Sequence, residues 1–141
     1  MTPAAAAERY IAFCEGMTPV DLDRLADFCA PEVHFRDPFN EVSGLAAYRR
    51  VLEKMFRDIG QPAFQVTGHA LAGEVCYLRW RFAFRRAKGE TMRILGMSEV
   101  HFDAEGRVTA QIDYWDAGQV YETVPLLRGL ARLVKRRLSV G

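Results

Sequence analysis

The sequence has little of what several protein classes depend on. Its 141 residues include three cysteines, Cys14, Cys29 and Cys76. They form an odd set without CxxC spacing, which argues against a disulfide framework or a thiolate metal site. No stretch approaches the roughly 20 apolar residues of a membrane span, and the Ala-rich start lacks the basic and apolar regions of a secretory signal. We therefore expect a cytoplasmic protein whose cysteines are buried, reduced thiols.

The short motifs of common enzyme classes are also missing. There is no GxGxxG, Walker loop, HExxH or GxSxG, and the three histidines stand apart from one another. Nucleotide, zinc and Ser-His-Asp chemistry therefore have little support. We expect no cofactor and no metal.

Charge is nearly balanced over the chain but is unevenly distributed. There are 19 Lys and Arg against 18 Asp and Glu, a formal net charge of +1. Five basic residues and no acid lie between Arg128 and Arg137, which leaves a net charge of −4 on the rest. With 50% hydrophobic residues, the chain is typical of one globular domain with a basic end.

Apolar periodicity predicts three helices in the first half, over 3–16, from Thr18-Pro19 to Pro31, and over 45–59. A strand is predicted over 32–37, with Asp37 at its end before Pro38, and 39–43 is predicted to be a loop. The second half predicts an antiparallel meander over 64–71, 75–86, 91–102 and 107–116. In the second of these strands Arg79, Arg81 and Arg85 lie on the face opposite the apolar side chains, as in a solvated sheet face.

Three segments resemble a known family. ERYIAF in the first helix, FRDPF followed by SG before the long helix, and HFDAEGRV with YWD in the final hairpin are similar to bacterial ketosteroid isomerases. These belong to the nuclear transport factor 2-like and SnoaL-like, or polyketide cyclase-like, superfamily. The predicted elements and the resemblance together imply an α+β fold: a cone-shaped, curved antiparallel or mixed sheet wrapped around three N-terminal helices. The resemblance covers a domain over 1–117 and implies a homodimer through the outer sheet face, whereas 118–141 lies beyond it and is predicted from its own pattern to be a C-terminal helical extension.

The resemblance implies roles for individual residues. Asp37 matches the general base that moves a proton beside a carbonyl, and Tyr10 matches the hydrogen-bond donor to the enolate oxygen. Ser98 stands where the isomerases carry a protonated aspartic acid. We hypothesise that Asp113 is the second carboxylate, paired with Asp37. Each has a structural alternative: Tyr10 as core packing, Asp37 as an Asp-Pro turn.

The last strand leaves two registers open. Apolarity alone would turn Tyr114 and Asp116 inward, whereas the resemblance turns Asp113 and Trp115 inward, and we favour the second. Asp116 alternatively caps the segment after the strand. The expected ligand is small and apolar, in a hydrophobic pocket lined by Ser98, Trp115, Trp80, Phe82, Phe56, Met55 and Phe35.

A basic amphipathic helix is predicted from Pro125 onward. We favour packing of this helix across the domain or a second subunit. Contact with an anionic membrane surface or an acidic partner is the alternative. Nucleic acid is not expected, because the segment has no aromatic residue for stacking.

Two functions of different classes fit these patterns. The first is a cofactor-independent isomerase or cyclase that moves a proton on an apolar, carbonyl-bearing substrate. An epoxide hydrolase version is weaker, because no inward Arg completes an Asp-Arg-Asp arrangement. The second is a non-catalytic module that binds a small molecule or a protein. The enzyme requires Asp37 to face an apolar cavity within reach of Tyr10 or Asp113.

Overall fold

A computed structural model describes residues 1–86 and 88–141. Its helices are α1 (Pro3–Glu15), a 3₁₀ helix (Pro19–Arg24), α2 (Leu25–Phe28), α3 (Leu45–Asp58), α4 (Gly118–Tyr121) and α5 (Pro125–Leu138). Its strands are β1 (Cys29–Arg36), β2 (Glu41–Ser43), β3 (Gly60–Ala72), β4 (Val75–Arg85), β5 (Thr91–Phe102) and β6 (Val108–Trp115). No helix within the described residues is both long enough and apolar enough to cross a membrane.

The strands form one curved, unclosed sheet in the order β2-β1-β6-β5-β4-β3. β1 and β6 run parallel, and all other neighbours run antiparallel. α1 contacts β3 and β4, and α3 contacts β1, so both helices pack on the inner face of the sheet. The predicted α+β fold with a curved mixed sheet is confirmed.

The region after α1 differs from the prediction. In place of one helix up to Pro31, there is a 3₁₀ helix and one turn of α-helix, and β1 begins at Cys29. Proline is tolerated inside β1 because Pro31 lies at an irregularity of the β1–β6 pairing, where no regular ladder bond is lost. Residues 41–43, predicted as part of a loop, pair with β1 as the short strand β2.

The core lies between the helices and the inner sheet face. Its largest fully buried side chains include Leu78, Val33, Val100 and Val108. β4 alternates as predicted, with Cys76, Leu78 and Trp80 buried and its arginines exposed. The outer sheet face therefore carries the arginines and the inner face carries the candidate site.

The C-terminal helix lies apart from this core. α5 spans the predicted segment and contacts α4, where Lys135 forms an ion pair with Glu122. None of its residues is buried. The prediction that it packs across its own domain is therefore wrong, because the short turn after α4 carries the helix away from the sheet. The alternatives in which it contacts a second subunit, a membrane surface or an acidic partner stay predictions.

Candidate active site

Two carboxylates lie side by side where β1 and β6 end. The parallel pairing places Phe35 beside Gln111 and Arg36 beside Ile112. Continuing this register by one residue brings Asp37 beside Asp113, on the same inner face as the buried Phe35 and Gln111. The two strands therefore deliver both predicted carboxylates to one place.

The register of β6 is the one that the resemblance favours. Asp113 and Trp115 point inward, whereas Tyr114 is 51% exposed. The pairing with β5 shifts between His101 and Phe102, which leaves Thr109 as an extra residue in β6. This bulge reverses the alternation of β6 after the buried Val108, and apolarity alone cannot reveal it. Asp116 Oδ1 accepts a hydrogen bond from the amide of Gly118 at the start of α4, whereas the N-cap residue of this helix is Ala117.

Asp37 is held by the loop that follows it. Its Oδ1 accepts hydrogen bonds from the amides of Phe39 (2.8 Å) and Asn40 (2.7 Å) and from Asn40 Nδ2 (3.1 Å). Its Oδ2 accepts one longer bond of 3.3 Å, from the same Asn40 Nδ2. The residue thus forms an Asp-Pro turn as well as a site carboxylate. This turn connects β1 to β2.

Asp113 lies in a chain of polar side chains. Its Oδ1 accepts hydrogen bonds from Ser98 Oγ (2.6 Å) and Gln111 Nε2 (2.9 Å). Trp80 Nε1 donates in turn to Ser98 Oγ at 2.8 Å. Because both of these bonds to Asp113 fall on Oδ1, Oδ2 is the oxygen available to a substrate or a proton.

Tyr10 belongs to the same chain, one residue farther from Asp113. Its hydroxyl donates to Gln111 Oε1 at 2.5 Å and lies 3.3 Å from the Tyr48 hydroxyl. Tyr10 is 2% exposed and packs on Phe13 and Phe102, and burial raises its pKa well above the usual range. The Tyr10 hydroxyl therefore donates its hydrogen bond to Gln111, and Gln111 in turn orients Asp113.

Asp113 has a proton affinity unusual for an aspartate. Its pKa is raised to about 6, chiefly because burial removes its charge from water, and the negative charge of Asp37 raises it further. The hydrogen bonds from Ser98 and Gln111 oppose this shift. A carboxyl group with such a pKa exchanges a proton readily near neutral pH.

Aromatic side chains surround this end of the sheet. The Trp115 ring lies 5.3 Å from the ring of Phe39, which is 51% exposed and also contacts Tyr121. Trp80 is buried, and its indole covers Gly96, where an added Cβ would lie 2.4 Å from Cζ2. The absence of a side chain at Gly96 thus lets Trp80 reach Ser98.

The remaining predicted lining residues lie in different surroundings. Phe35 is 4% exposed and stacks on Tyr48, and Phe82 packs between Phe64 and Phe84. Met55 and Phe56 are half-buried on α3. Their part in ligand binding stays a prediction.

Two described cavities lie outside the carboxylate pair. One, of about 340 Å³, is lined by α1 and β3, including Glu8, Glu15 and His69. The other, of about 190 Å³, lies between α3 and the segment before β1. Neither cavity is lined by Asp37 or Asp113, and the hydrophobic pocket predicted beside these carboxylates stays a prediction.

Sequence reasoning missed Gln111, Tyr48 and Asn40. Gln111 carries a signal that was available, because it lies two residues before Asp113 and therefore on the same face of the strand. Tyr48 and Asn40 carry no such signal, since their contacts depend on how α3 and the 37–40 loop fold back. The cysteines are free, Cys29 and Cys76 are buried, and burial raises the pKa of Cys29 to about 12. This confirms Cys29 and Cys76 as buried thiols, whereas Cys14, also predicted to be buried, is only partly buried.

The family assignment follows from a comparison with family models. The model of the SnoaL-like domain matches residues 8–111, which is more than half of the chain. The chain belongs to the SnoaL-like domain family. The matched segment contains Tyr10, Asp37 and Ser98 and ends just before Asp113. The chain has no match among curated proteins.

Solved structures of other SnoaL-like and NTF2-like proteins have the same fold. A protein of Jannaschia sp. CCS1 assigned to the SnoaL-like polyketide cyclases has 11% identity, with 86% of this chain and 90% of that chain covered and a TM-score of 0.75. A protein with a ketosteroid isomerase-like fold from Catenulispora acidiphila, solved with trimethylamine, has 14% identity, 86% and 92% coverage and a TM-score of 0.71. An LEH-like epoxide hydrolase of M. tuberculosis has 19% identity, 94% coverage of both chains and a TM-score of 0.68. At these identities the likeness concerns the fold alone.

Proposed function

We propose that this SnoaL-like protein is a cofactor-independent enzyme of the isomerase or cyclase type, which moves a proton on an apolar, carbonyl-bearing substrate. The observation that carries the proposal is the proximity of Asp37, which directly follows β1, to Asp113 on β6, with Asp113 in the hydrogen-bond chain through Gln111 to Tyr10. When two adjacent carboxyl groups lie in different environments, their pKa values differ. One group can then carry the proton while the other stays charged.

The hydrogen bonds favour Asp113 as the proton carrier. Asp37 accepts four hydrogen bonds from its loop, whereas the two bonds to Asp113 leave its Oδ2 available. Asp37 then acts as the fixed negative charge that raises the proton affinity of Asp113. This exchanges the roles predicted from the sequence, in which Asp37 is the base, and experiment separates the two assignments.

Ser98 and Tyr10 are positioning residues in this proposal. The Tyr10 hydroxyl donates to Gln111, and the Ser98 hydroxyl donates to Asp113 itself. Phe39 and Trp115 supply the apolar surface against which the substrate packs beside the carboxylates. Substrate binding would require the exposed Phe39 side chain to move relative to Trp115.

The reaction class can be tested without knowing the natural substrate. A panel of apolar cyclic ketones is first screened for binding by thermal shift, and ligands that bind are then incubated with the protein in D₂O. NMR follows the exchange of hydrogens beside the carbonyl. Asp113→Asn is expected to slow exchange by on the order of 100-fold or more, as for loss of a general base.

Asp37→Asn separates the two assignments. If Asp113 is the base, this variant keeps measurable exchange, and the rising limb of its pH–rate profile moves below pH 6 because the neighbouring charge is gone. If Asp37 is the base, exchange is lost in the same way as for Asp113→Asn. Asp58→Asn, on the exposed side of α3, is the matched control and should leave exchange unchanged.

A non-catalytic binding module is the second candidate. It is favoured by the position of the two described cavities away from the carboxylate pair and by the use of the Tyr10 hydroxyl within the core. Ligands that raise the melting temperature but undergo no hydrogen exchange with the wild-type protein would favour this module over the enzyme.

We also propose a homodimer and a cytoplasmic location. The outer sheet face exposes Leu95 (65%), Met97 (50%) and Tyr114 (51%) on neighbouring strands, and an apolar patch of this kind is typical of a protein interface. The three free cysteines support a reducing compartment.

A further inference from the structure

Helix α5 presents an exposed apolar face and an exposed basic face. At 3.6 residues per turn, the apolar face contains Leu126, Leu127, Leu130, Leu133, Val134 and Leu138. The basic face contains Arg128, Arg132, Lys135 and Arg136. Exposure of the apolar side chains ranges from 40% at Leu127 to 86% at Leu126. So much apolar surface on one helix indicates that it contacts something besides water.

The sheet of a second copy is a poor match for α5. Its exposed apolar residues Leu95 and Met97 pair directly with Arg81 and Arg79 on β4. Two acids on this face are already paired: Glu99 accepts a hydrogen bond from Tyr114 and pairs with His101, and Glu41 pairs with His34. A helix whose charged residues are all basic would therefore approach a face that is rich in arginine.

An anionic lipid surface matches both faces of α5. We propose that α5 lies on such a surface, with its apolar face at the boundary of the acyl chains and its basic face among the headgroups. A helix with Leu and Val on one side and Lys and Arg on the other is the usual form of such contacts. The segment has no acid that phosphate groups would repel. By the same spacing Arg137 falls within the apolar face, between Leu130 and Leu133, and its long side chain would carry the guanidinium to the headgroups.

The geometry of the chain supports this placement. α5 follows the sheet through α4, and within residues 1–86 and 88–141 its substantial contacts are with α4, so it can lie flat on a membrane while the SnoaL-like domain stays in water. Gly129 lowers the intrinsic helix propensity of the segment, so contact with lipid would also stabilise the helix. Attachment by one short helix is expected to be reversible and salt-dependent.

Vesicle flotation of the full chain tests the proposal. The probes are phosphatidylcholine vesicles with and without about 30% phosphatidylserine, at physiological ionic strength. The protein is expected to float with the anionic vesicles, to stay behind with the neutral ones, and to be released near 1 M salt, where charges are screened within about 3 Å.

Matched variants locate the contact. Arg128→Gln/Arg132→Gln/Arg136→Gln removes three charges from α5 and should weaken binding roughly tenfold or more. Arg79→Gln/Arg81→Gln/Arg85→Gln removes the same number of charges from the outer sheet face and should leave binding unchanged. Leu130→Gln/Val134→Gln should also weaken binding, because it removes apolar contact while retaining the charges. Circular dichroism of each variant checks that the domain is folded.

Three results would overturn the proposal. One is equal binding to neutral and anionic vesicles, or binding to neither. Another is an equal loss of binding in the sheet variant, which would mean that overall charge and not α5 decides. The last is a change of the Leu130→Gln/Val134→Gln variant from dimer to monomer in sedimentation, which would assign the apolar face to a second copy.

Discussion

At the scale of single residues, Asp37 and Asp113 have the same side chain but different hydrogen-bond partners and surroundings. Asp37 directly follows β1 and accepts amide hydrogen bonds from its own loop, whereas Asp113 lies near the end of β6 beside Ser98, Gln111 and the charge of Asp37. The sequence predicted both residues as site carboxylates. It could not assign their environments, because these depend on the bulge in β6 and on the fold of the 37–40 loop.

The raised pKa of Asp113 predicts a pH-dependent stability. Its pKa is about 6 in the folded protein and about 3.9 in an unfolded chain. The unfolded chain therefore ionises first, so the contribution of Asp113 to the free energy of unfolding falls as the pH rises from about 4 to about 6 and is constant above. Asp113→Asn should be more stable than wild type at pH 8, by roughly 1 to 2 kcal/mol after allowance for partial exposure. Urea unfolding at both pH values measures this difference.

At pH 4 most of the advantage of Asp113→Asn should disappear, because the carboxyl group is then neutral in the folded protein and only about half ionised in the unfolded chain. Asp58→Asn removes an exposed carboxylate whose surface ion pair with Lys54 contributes little to stability, so its effect should change far less with pH. A gain in stability that is equal at pH 4 and pH 8 would contradict the assigned ionisation of Asp113.

At the scale of elements, the β4–β5 pair positions the site through one close approach. Trp80 on β4 lies opposite Gly96 on β5, and its indole covers the glycine. The same indole donates to Ser98, which in turn donates to Asp113. A backbone position two residues from Ser98 therefore controls the orientation of a site residue.

Gly96→Ala should accordingly displace Trp80. The new Cβ would lie 2.4 Å from Cζ2 of the indole, and such overpacking typically costs about 1 to 3 kcal/mol. We expect a lower free energy of unfolding in urea and a change in tryptophan fluorescence from loss of the bond to Ser98. Gly68→Ala on β3 is the matched control, because its Cβ meets no atom within 4 Å. Equal effects of the two variants would show that loss of glycine, and not the contact with Trp80, is responsible.

At the scale of the whole molecule, two exposed apolar surfaces need partners, and we assign them different ones. The outer sheet face is assigned to a second copy and α5 to an anionic membrane. The net charge of +1 conceals this division, because the basic residues of α5 offset the acidic remainder of the chain.

The dimer is tested on the sheet face. Leu95→Glu/Met97→Glu places two charges in the apolar patch and should convert a dimer to a monomer in sedimentation equilibrium without changing the circular dichroism spectrum. Val20→Glu is the control and should stay dimeric. Val20 is 77% exposed and lies in the 3₁₀ helix, not in the sheet. A wild-type protein that sediments as a monomer would remove this interface.

The sequence by itself determined the helices α1, α3 and α5, the four long strands, the inward and outward faces of β4, and the identity of both carboxylates. These features follow from local periodicity, turn residues and a resemblance carried by short motifs. Each of these signals is contained within a single segment of the chain. Only the tertiary structure decided that Asp37 lies beside Asp113, that Tyr10 acts through Gln111, and that α5 leaves the domain. These three features depend on contacts between segments far apart in sequence or on a bulge that shifts a strand by one residue. A local sequence pattern predicts neither such contacts nor such a bulge.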